Sequence, residues 1–241
     1  MCFWFVLGQI KKDNGIVDIS WGLGFVVTII AFTFYHGNPR NFVILFLVAI
    51  WGIRLFFYLF IRNWSNKEDW RYAKWRKDWG KNAMRNAFFR VYMLQGIIMY
   101  TMCLGLIQQL STSRNLFLFW VGMIIWAVGL IWETIADQQL YFFKKKAENR
   151  GRILMTGLWK YSRHPNYFGE ILTWWGISIT LLAYGGDIFL SILPAALITF
   201  FIVRVSGVPM LEKKLNNYPG YKDYLQNTNS LFPGVKKTNT N

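Results

Sequence analysis

Residues 159–170 read WKYSRHPNYFGE, and their side chains can handle a phosphorylated, ring-bearing ligand. Arg163 can hold phosphate through two parallel N–H bonds, while Asn166 both donates and accepts toward an amide or a sugar. Tyr161 and Trp159 can stack on a base or ribose, with His164 beside them. Pro165 presets its φ and lacks the N–H that a first helical turn leaves unused, so it starts a helix. The free N–H groups of that turn favour phosphate or carboxylate. The same residues also suit an interfacial cap, with Arg163 on lipid phosphate and Tyr161 and Tyr167 as belt aromatics.

Polar residues inside apolar stretches extend this chemistry, because an ionisable group at membrane depth normally faces the protein interior or a wet cavity. Arg54 and Tyr58 are four apart and share a helix face. Glu133, Asp137, Tyr141 and Lys144 are spaced 4, 4 and 3, forming one stripe that runs toward the cytoplasmic surface. Asn166, Glu170 and Thr173 share a face of the next stretch, and Arg204 ends the last. Each alone reads as an inter-helix structural pair; together they predict a polar cavity open to the cytoplasm.

Apolar helices must position these groups. The 241 residues are 54% hydrophobic and 19% aromatic with 16% charged, too apolar for an ordinary soluble domain. Stretches near the length of a bilayer crossing recur at about 18–35, 42–61, 92–110, 116–137, 167–184 and 188–208. Residues 1–9 read as a shortened first helix or a start placed too late. The fold class is therefore all-α, a polytopic transmembrane bundle of six or seven spans, forming one domain over 1–233 with a disordered polar tail at 234–241. Nine Lys/Arg fall between Arg62 and Arg90 and seven between Lys144 and Arg163, whereas 184–187 has none. That bias places both basic loops and the C-terminus in the cytoplasm, with bacterial inner membrane as the expected location. The loop 63–90, with Trp64, Trp70, Trp75 and Trp79, reads as an interfacial helix against membrane lipids. Within it, Glu68 and Asp69 are placed to pair with Arg71 or to hold a ligand.

The charge is divided among membrane-bounded loops, which argues against nucleic acid as a partner. Two cysteines, Cys2 and Cys103, and two histidines, His36 and His164, are too scattered for a metal site. No G-x-G-x-x-G or P-loop sequence follows a strand.

Four separated motifs, IVDISWGLGF, NW with EDWRY, GLWKYSRHPNYFGEILTWWG and EKK...YPGYKDY...LFPG, resemble the small bacterial membrane proteins of unassigned function related to the steroid 5-alpha-reductases. The resemblance implies NADPH held by cytoplasmic loops. It also implies hydride transfer to the β-carbon of an α,β-unsaturated ketone in a lipophilic, steroid- or isoprenoid-like substrate. Asp137, Asn166 and Glu170 match cofactor-contacting positions. Tyr161, Arg163 and His164 fall in the same loop, and Tyr224 is expected near the adenosine. Glu133, Lys144, Arg204 and Glu212 complete the expected cofactor set. Asp18, Arg54 and Tyr58 are expected to face the substrate, with Tyr58 or a protonated Asp18 as donor. By loose alignment Trp51 replaces the tyrosine of the steroid enzymes, and their histidine cluster near the last helix is absent, so the cofactor side transfers better than the substrate side.

The same RHPxYxG segment is similar to that of membrane isoprenylcysteine and phospholipid methyltransferases, which implies S-adenosylmethionine as an alternative cofactor. Their tail has two adjacent glutamates where this chain reads Glu212-Lys213. A non-catalytic lipid-binding membrane protein is the third reading.

Overall fold

The computed structural model describes residues 1–111 and 114–234; from residue 235 onward the expected polar tail lies outside the described residues. All regular structure among the described residues is helical. Among the described residues, five helical paths are long and apolar enough to cross a membrane: Ile16–His36, Pro39–Asn63, Trp70–Leu106, Leu116–Lys145 and Ile188–Leu215. The chain is an integral membrane protein of the all-α class. It divides into two compact units, Met1–Ser113 with Tyr184–Ser191, and Arg114–Ala183 with Ile192–Asn241.

In the first unit, α1 (Cys2–Lys11) has ten residues, a length of roughly 15 Å and about half a hydrocarbon layer. It packs instead of crossing: Trp4 and Phe5 lie against buried Val17, Tyr72, Val91 and Tyr92. Helices α2 (Ile16–His36) and α3 (Pro39–Asn63) form a hairpin. Gly37 ends α2 in the left-handed conformation at φ 62, and the Asn38 side chain accepts from the Arg40 N–H at 3.0 Å to cap α3. The two backbones touch at Gly22 and Gly52, where a Cβ on Gly22 would lie 2.3 Å from the Gly52 carbonyl oxygen.

Next comes α4 (Trp70–Trp79), capped by Asp69, whose carboxylate accepts from the Arg71 N–H at 2.9 Å. The chain continues through α5 (Ala83–Ala87) and a π-helical turn at Phe88–Met93 into α6 (Leu94–Leu106). The aromatic loop expected at 63–90 is thus joined to the following span as one helical path. Its turns are redirected at Gly80 and at the π turn, which keep the backbone hydrogen-bonded while changing direction.

In the second unit, α7 (Leu116–Lys145) lies antiparallel to α8 (Pro165–Ala183). Their interface repeats a 4-3-4 spacing on both sides, Gly122, Trp126, Gly129 and Glu133 against Gly169, Thr173, Gly176 and Thr180. A Cβ on Gly129 would meet the Thr173 nitrogen at 2.5 Å, and one on Gly176 the Trp126 nitrogen at 2.4 Å. Such close approach is how helices associate where lipid tails compete for apolar surface. Helix α8 falls outside the set of apolar spans chiefly because Asn166 and Glu170 in its first turns lower its hydropathy. From Ile192 the chain follows α9 (Ile188–Phe200), a π-helical turn at Phe201–Val205, α10 (Val208–Leu215) and α11 (Tyr221–Asn227).

Gly169 gives a direct test of this packing. A methyl there would lie 2.5 Å from the Glu133 nitrogen and 2.8 Å from its Cα. The helix-propensity gain of alanine, near 1 kcal/mol, is outweighed by overpacking of about 1–3 kcal/mol. Gly169→Ala is therefore expected to lower the thermal midpoint in detergent, whereas alanine at the exposed, open Gly37 position is expected to act only through local backbone strain. A midpoint for Gly169→Ala at or above that of the parent would show that the interface relaxes freely.

Candidate functional site

Each unit builds its own polar cluster. In the first, Asp18 sits in the first turn of α2, and both its carboxylate oxygens are engaged. Oδ1 accepts from the Tyr72 hydroxyl at 2.6 Å and Oδ2 from Arg71 Nη2 at 2.9 Å. Tyr72 is buried, and its oxygen in turn accepts from Gln95 Nε2 at 3.4 Å. Arg71 is oriented from behind, since its Nε donates to the Asp69 cap at 2.9 Å. Glu68 performs the same service one turn on: it takes Arg76 at 2.7 and 3.1 Å and the Asn14 N–H at 2.8 Å. The acidic residues of EDWRY thus select Arg71 and Arg76 from the loop's cations, while Lys74, Lys77 and Lys81 remain exposed.

Beside this cluster, Asp13 is buried, and burial raises its carboxyl above the ordinary aspartate range despite an N–H bond from Gly15. Arg54 and Tyr58 are half-buried one turn apart on α3. The Tyr58 hydroxyl accepts from Arg62 Nη1 at 3.3 Å on its own helix. Trp51, by loose alignment in the position of the tyrosine, is fully buried and packs edge-to-face on Phe25 at 5.8 Å.

In the second unit, the α7 stripe is buried where it faces α8: Glu133 is 3% and Asp137 4% exposed. Asn166, in the first turn of α8, donates to Asp137 Oδ1 at 3.2 Å. Glu170 follows one turn later, half-buried, and Lys144 is exposed at the end of α7. The segment between the helices is pinned to α7, since the Trp159 indole donates to the Ala136 carbonyl at 3.1 Å and the Leu158 N–H to Gln139 Oε1 at 3.0 Å.

The RHP residues turn inward. Ser162 and His164 are fully buried, and Arg163 is 8% exposed. Arg163 donates from Nε and Nη2 to Glu212 Oε1 at 3.0 and 2.7 Å, and from Nη1 to the carbonyls of Leu225 and Thr228. His164 Nε2 meets the same Glu212 oxygen at 3.2 Å, and its ring stacks on Tyr167 with an interplanar angle of 12°. The segment after α11 runs alongside: the N–H groups of Arg163 and His164 donate to the Asn229 and Ser230 carbonyls, and that of Gly234 to Tyr161. Tyr224, buried, donates to the Trp159 and Ser162 carbonyls, and burial pushes its phenol well above the usual range. Burial likewise pushes Tyr221 up to about 12.

Geometry thus turns the Arg163 donors and the Tyr224 hydroxyl toward the protein: both hold the C-terminal strap, residues 208–234, onto the RHP segment. Tyr161 remains on the surface, 43% exposed, and Arg204 is exposed. One atom of the motif is left over. His164 Nδ1 is buried without a hydrogen-bond partner among the described residues, so it can serve a ligand. Sequence reasoning missed Tyr72 as a partner of Asp18 and Gln95 as the donor behind it. Tyr72 was within reach, since it ends the EDWRY motif beside the acidic pair.

Among known proteins, the family description "Protein of unknown function (DUF1295)" matches residues 4–228. A steroid 5-alpha-reductase of Gossypium hirsutum is 32% identical over 111 residues, 42% of this chain and 40% of that protein. An uncharacterized protein of Schizosaccharomyces pombe is 24% identical over 271 aligned positions, 95% of this chain and 77% of the relative. A probable O-methyltransferase of Ustilaginoidea virens is 40% identical over 68 residues, 28% of this chain and 23% of that protein. The chain thus spans well under half the length of the first and third. No solved structure matches. With a match that runs through both polar clusters, the chain belongs to the DUF1295 family, a group related to the steroid 5-alpha-reductases.

Proposed function

We propose that the protein is a membrane reductase that uses NADPH to saturate a C=C bond conjugated to a carbonyl in a lipophilic substrate. The observation that carries this reading is the Asp18–Tyr72–Arg71 cluster, an acid-and-donor array inside an apolar unit. Hydride addition to an enone builds negative charge on the carbonyl oxygen and calls for a positioned proton donor. The named steroid reductase among the relatives supports the same reading.

The second unit's residues fit such a cofactor on its ribose and carboxamide side. Buried Glu133 and Asp137 offer acceptors to ribose hydroxyls, Asn166 offers both donor and acceptor, and the bare His164 Nδ1 accepts an amide N–H. Arg163 fits less well as a phosphate ligand, because its donors already meet Glu212 and two carbonyls. When bound, NADPH would supply the hydride to the β-carbon.

The chain's own groups do the rest. Tyr72 has the proton to give: its hydroxyl turns from Asp18 to the carbonyl oxygen as charge develops there. Asp18 orients the phenol, and Arg71, shared between Asp18 and the Asp69 cap, offsets part of the carboxylate charge. A proton from water at the α-carbon then completes the saturated ketone, and the proton shared with the carbonyl oxygen returns to the Tyr72 phenol.

A second reading, transfer of a methyl group from S-adenosylmethionine, is favoured by the probable O-methyltransferase among the relatives. The thermal midpoint of the purified protein separates the two, since a ligand that binds only the folded state at 100 times its Kd adds about 2.7 kcal/mol of apparent stability. NADPH is expected to raise the midpoint and S-adenosylmethionine to leave it unchanged. Enones would then be screened by loss of nicotinamide absorbance. A rise with S-adenosylmethionine alone would overturn the reductase reading.

A further inference from the structure

Four residues that each oppose stability meet at one corner of the first unit. Gly8 lies inside α1, although glycine is the weakest helix former after proline. Tyr92 is fully buried, and its hydroxyl has no hydrogen-bond partner among the described residues, a costly state for a polar group away from water. These two belong together: a Cβ on Gly8 would lie 2.1 Å from the Tyr92 oxygen, so the glycine makes the notch in which the phenol ends. Lys12 closes α1 in the left-handed conformation at φ 56, and this turn returns the Asp13 N–H to the Gly8 carbonyl at 2.9 Å. Asp13 itself is an acid only 8% exposed. Where locally unfavourable residues cluster and the fold gains nothing from them, function is the usual reason.

The chemistry of the corner is that of protons. The charged groups around the Tyr92 hydroxyl are Asp13, Asp18, Arg76 and Glu68, which puts the phenol between the loop acid and the Asp18–Tyr72 pair. Arg76 in that set makes the corner unsuited to a metal cation. Gly15 joins the same two sides: a Cβ there would lie 3.0 Å from Asp13 Oδ1 and 3.7 Å from Cδ2 of the Tyr72 ring. Burial, with Glu68 adding to it, favours the protonated carboxyl of Asp13 against the Gly15 N–H, Lys11 and Arg76. Solvent reaches the corner at Arg76, whose side chain is 33% exposed beside Glu68. We infer that Asp13 and Tyr92 are the path by which the proton consumed in each turnover enters the first unit. The Tyr92 hydroxyl takes the Asp13 proton and passes its own to the water that serves the α-carbon. One O–H bond of Asp13 breaks for each C–H bond formed there, and solvent at the Glu68 edge returns a proton to the carboxylate. The inference rests on the reductase reading and adds the source of its proton.

The test uses the full chain in detergent with NADPH and a panel of enones. Tyr92→Phe keeps the ring against Val17, Tyr72 and Val91 and breaks no hydrogen bond among the described residues. Its thermal midpoint is therefore expected at or above that of the parent, while turnover falls about 100-fold, the low end for a lost general acid. Asp13→Asn can still accept from the Gly15 N–H but has no proton to release, and the same fall is expected. The pH profile separates a proton path from a structural role. Parent turnover is expected to decline as pH rises through the raised range of the Asp13 carboxyl, and Asp13→Asn to lack that decline. Asp78→Asn, at an exposed acid on α4, is expected to behave as the parent. A second readout needs no turnover: the infrared carbonyl band of a protonated carboxyl, at a pH where exposed carboxyls are ionised, is expected in the parent and not in Asp13→Asn. Parent-like turnover in either Tyr92→Phe or Asp13→Asn, or a parent without that band, overturns the path and leaves the reductase reading standing. If the band is present but the parent reduces no enone with NADPH, the reductase reading fails and the path falls with it.

Discussion

Tyr72→Phe is expected to lower enone-dependent turnover about 100- to 10,000-fold while leaving the NADPH-induced rise in thermal midpoint intact. The substitution removes one oxygen and keeps the ring, so the core of Val17, Val91 and Tyr92 around it stays filled. What goes is the proton held 2.6 Å from Asp18. Some stability goes with it, about 1–3 kcal/mol, because Asp18 Oδ1 loses a donor in a partly desolvated place. Asp18→Asn is expected to fall in the same range with a larger stability loss, since Arg71 is then opposed only by Asp69. Tyr58→Phe is the control. Its hydroxyl accepts from Arg62 on its own helix, and its removal is expected to change turnover less than tenfold. Wild-type turnover in Tyr72→Phe would remove the phenol from the mechanism. A large loss in Tyr58→Phe with none in Tyr72→Phe would move the donor to α3.

The contrast between these two tyrosines shows what the sequence could and could not say. Periodicity places Arg54 and Tyr58 on one face of α3, and Glu133 and Asp137 on one face of α7, because a helix face is a local property of spacing. The burial of Glu133 and Asp137 and the Asn166–Asp137 hydrogen bond follow from that spacing once α7 and α8 pack. Partner choice is not local. Nine cations between residues 62 and 90 look alike in the sequence; Arg76 turns to Glu68 in its own loop, but Arg71 turns to Asp18, brought from 53 residues away. Arg163 is a similar case: a bidentate phosphate ligand and a bidentate glutamate ligand are the same side chain. Its carboxylate partner lies 49 residues away. The 4-3-4 ladder of glycine and threonine on α7 and α8, by contrast, was fully legible. Small residues carry the packing signal in a membrane, and their spacing is a local property of the sequence.

Glu212→Gln is expected to cost about 3–5 kcal/mol and to release the C-terminal strap, because it leaves a buried guanidinium without its counter-charge. One oxygen of Glu212 accepts from Arg163 Nε and Nη2, His164 Nε2 and the Ser230 hydroxyl, at 3.0, 2.7, 3.2 and 3.2 Å. The Arg163 side chain is 9% and that of Glu212 23% exposed, so water cannot replace what is lost. The amide of glutamine can still accept a hydrogen bond there but offers no charge to Arg163. Release would be read as faster trypsin cleavage at Lys213 and Lys222 and as a lower thermal midpoint. Arg163→Met is expected to lose a similar amount for the converse reason, an uncompensated carboxylate together with the Leu225 and Thr228 carbonyls left without their donor. The double variant Arg163→Met with Glu212→Leu decides between charge and packing. Removing both members of a buried pair is far less costly than removing one, so it is expected to recover a large part of the midpoint. Parent-like midpoints and cleavage rates in both single variants would show that the strap is held by its other bonds, the backbone ones to Tyr161, Arg163 and His164 and those of the Ser162 and Tyr224 hydroxyls. A double variant as unstable as either single one would assign the strap's attachment to the fit of these side chains rather than to their charge.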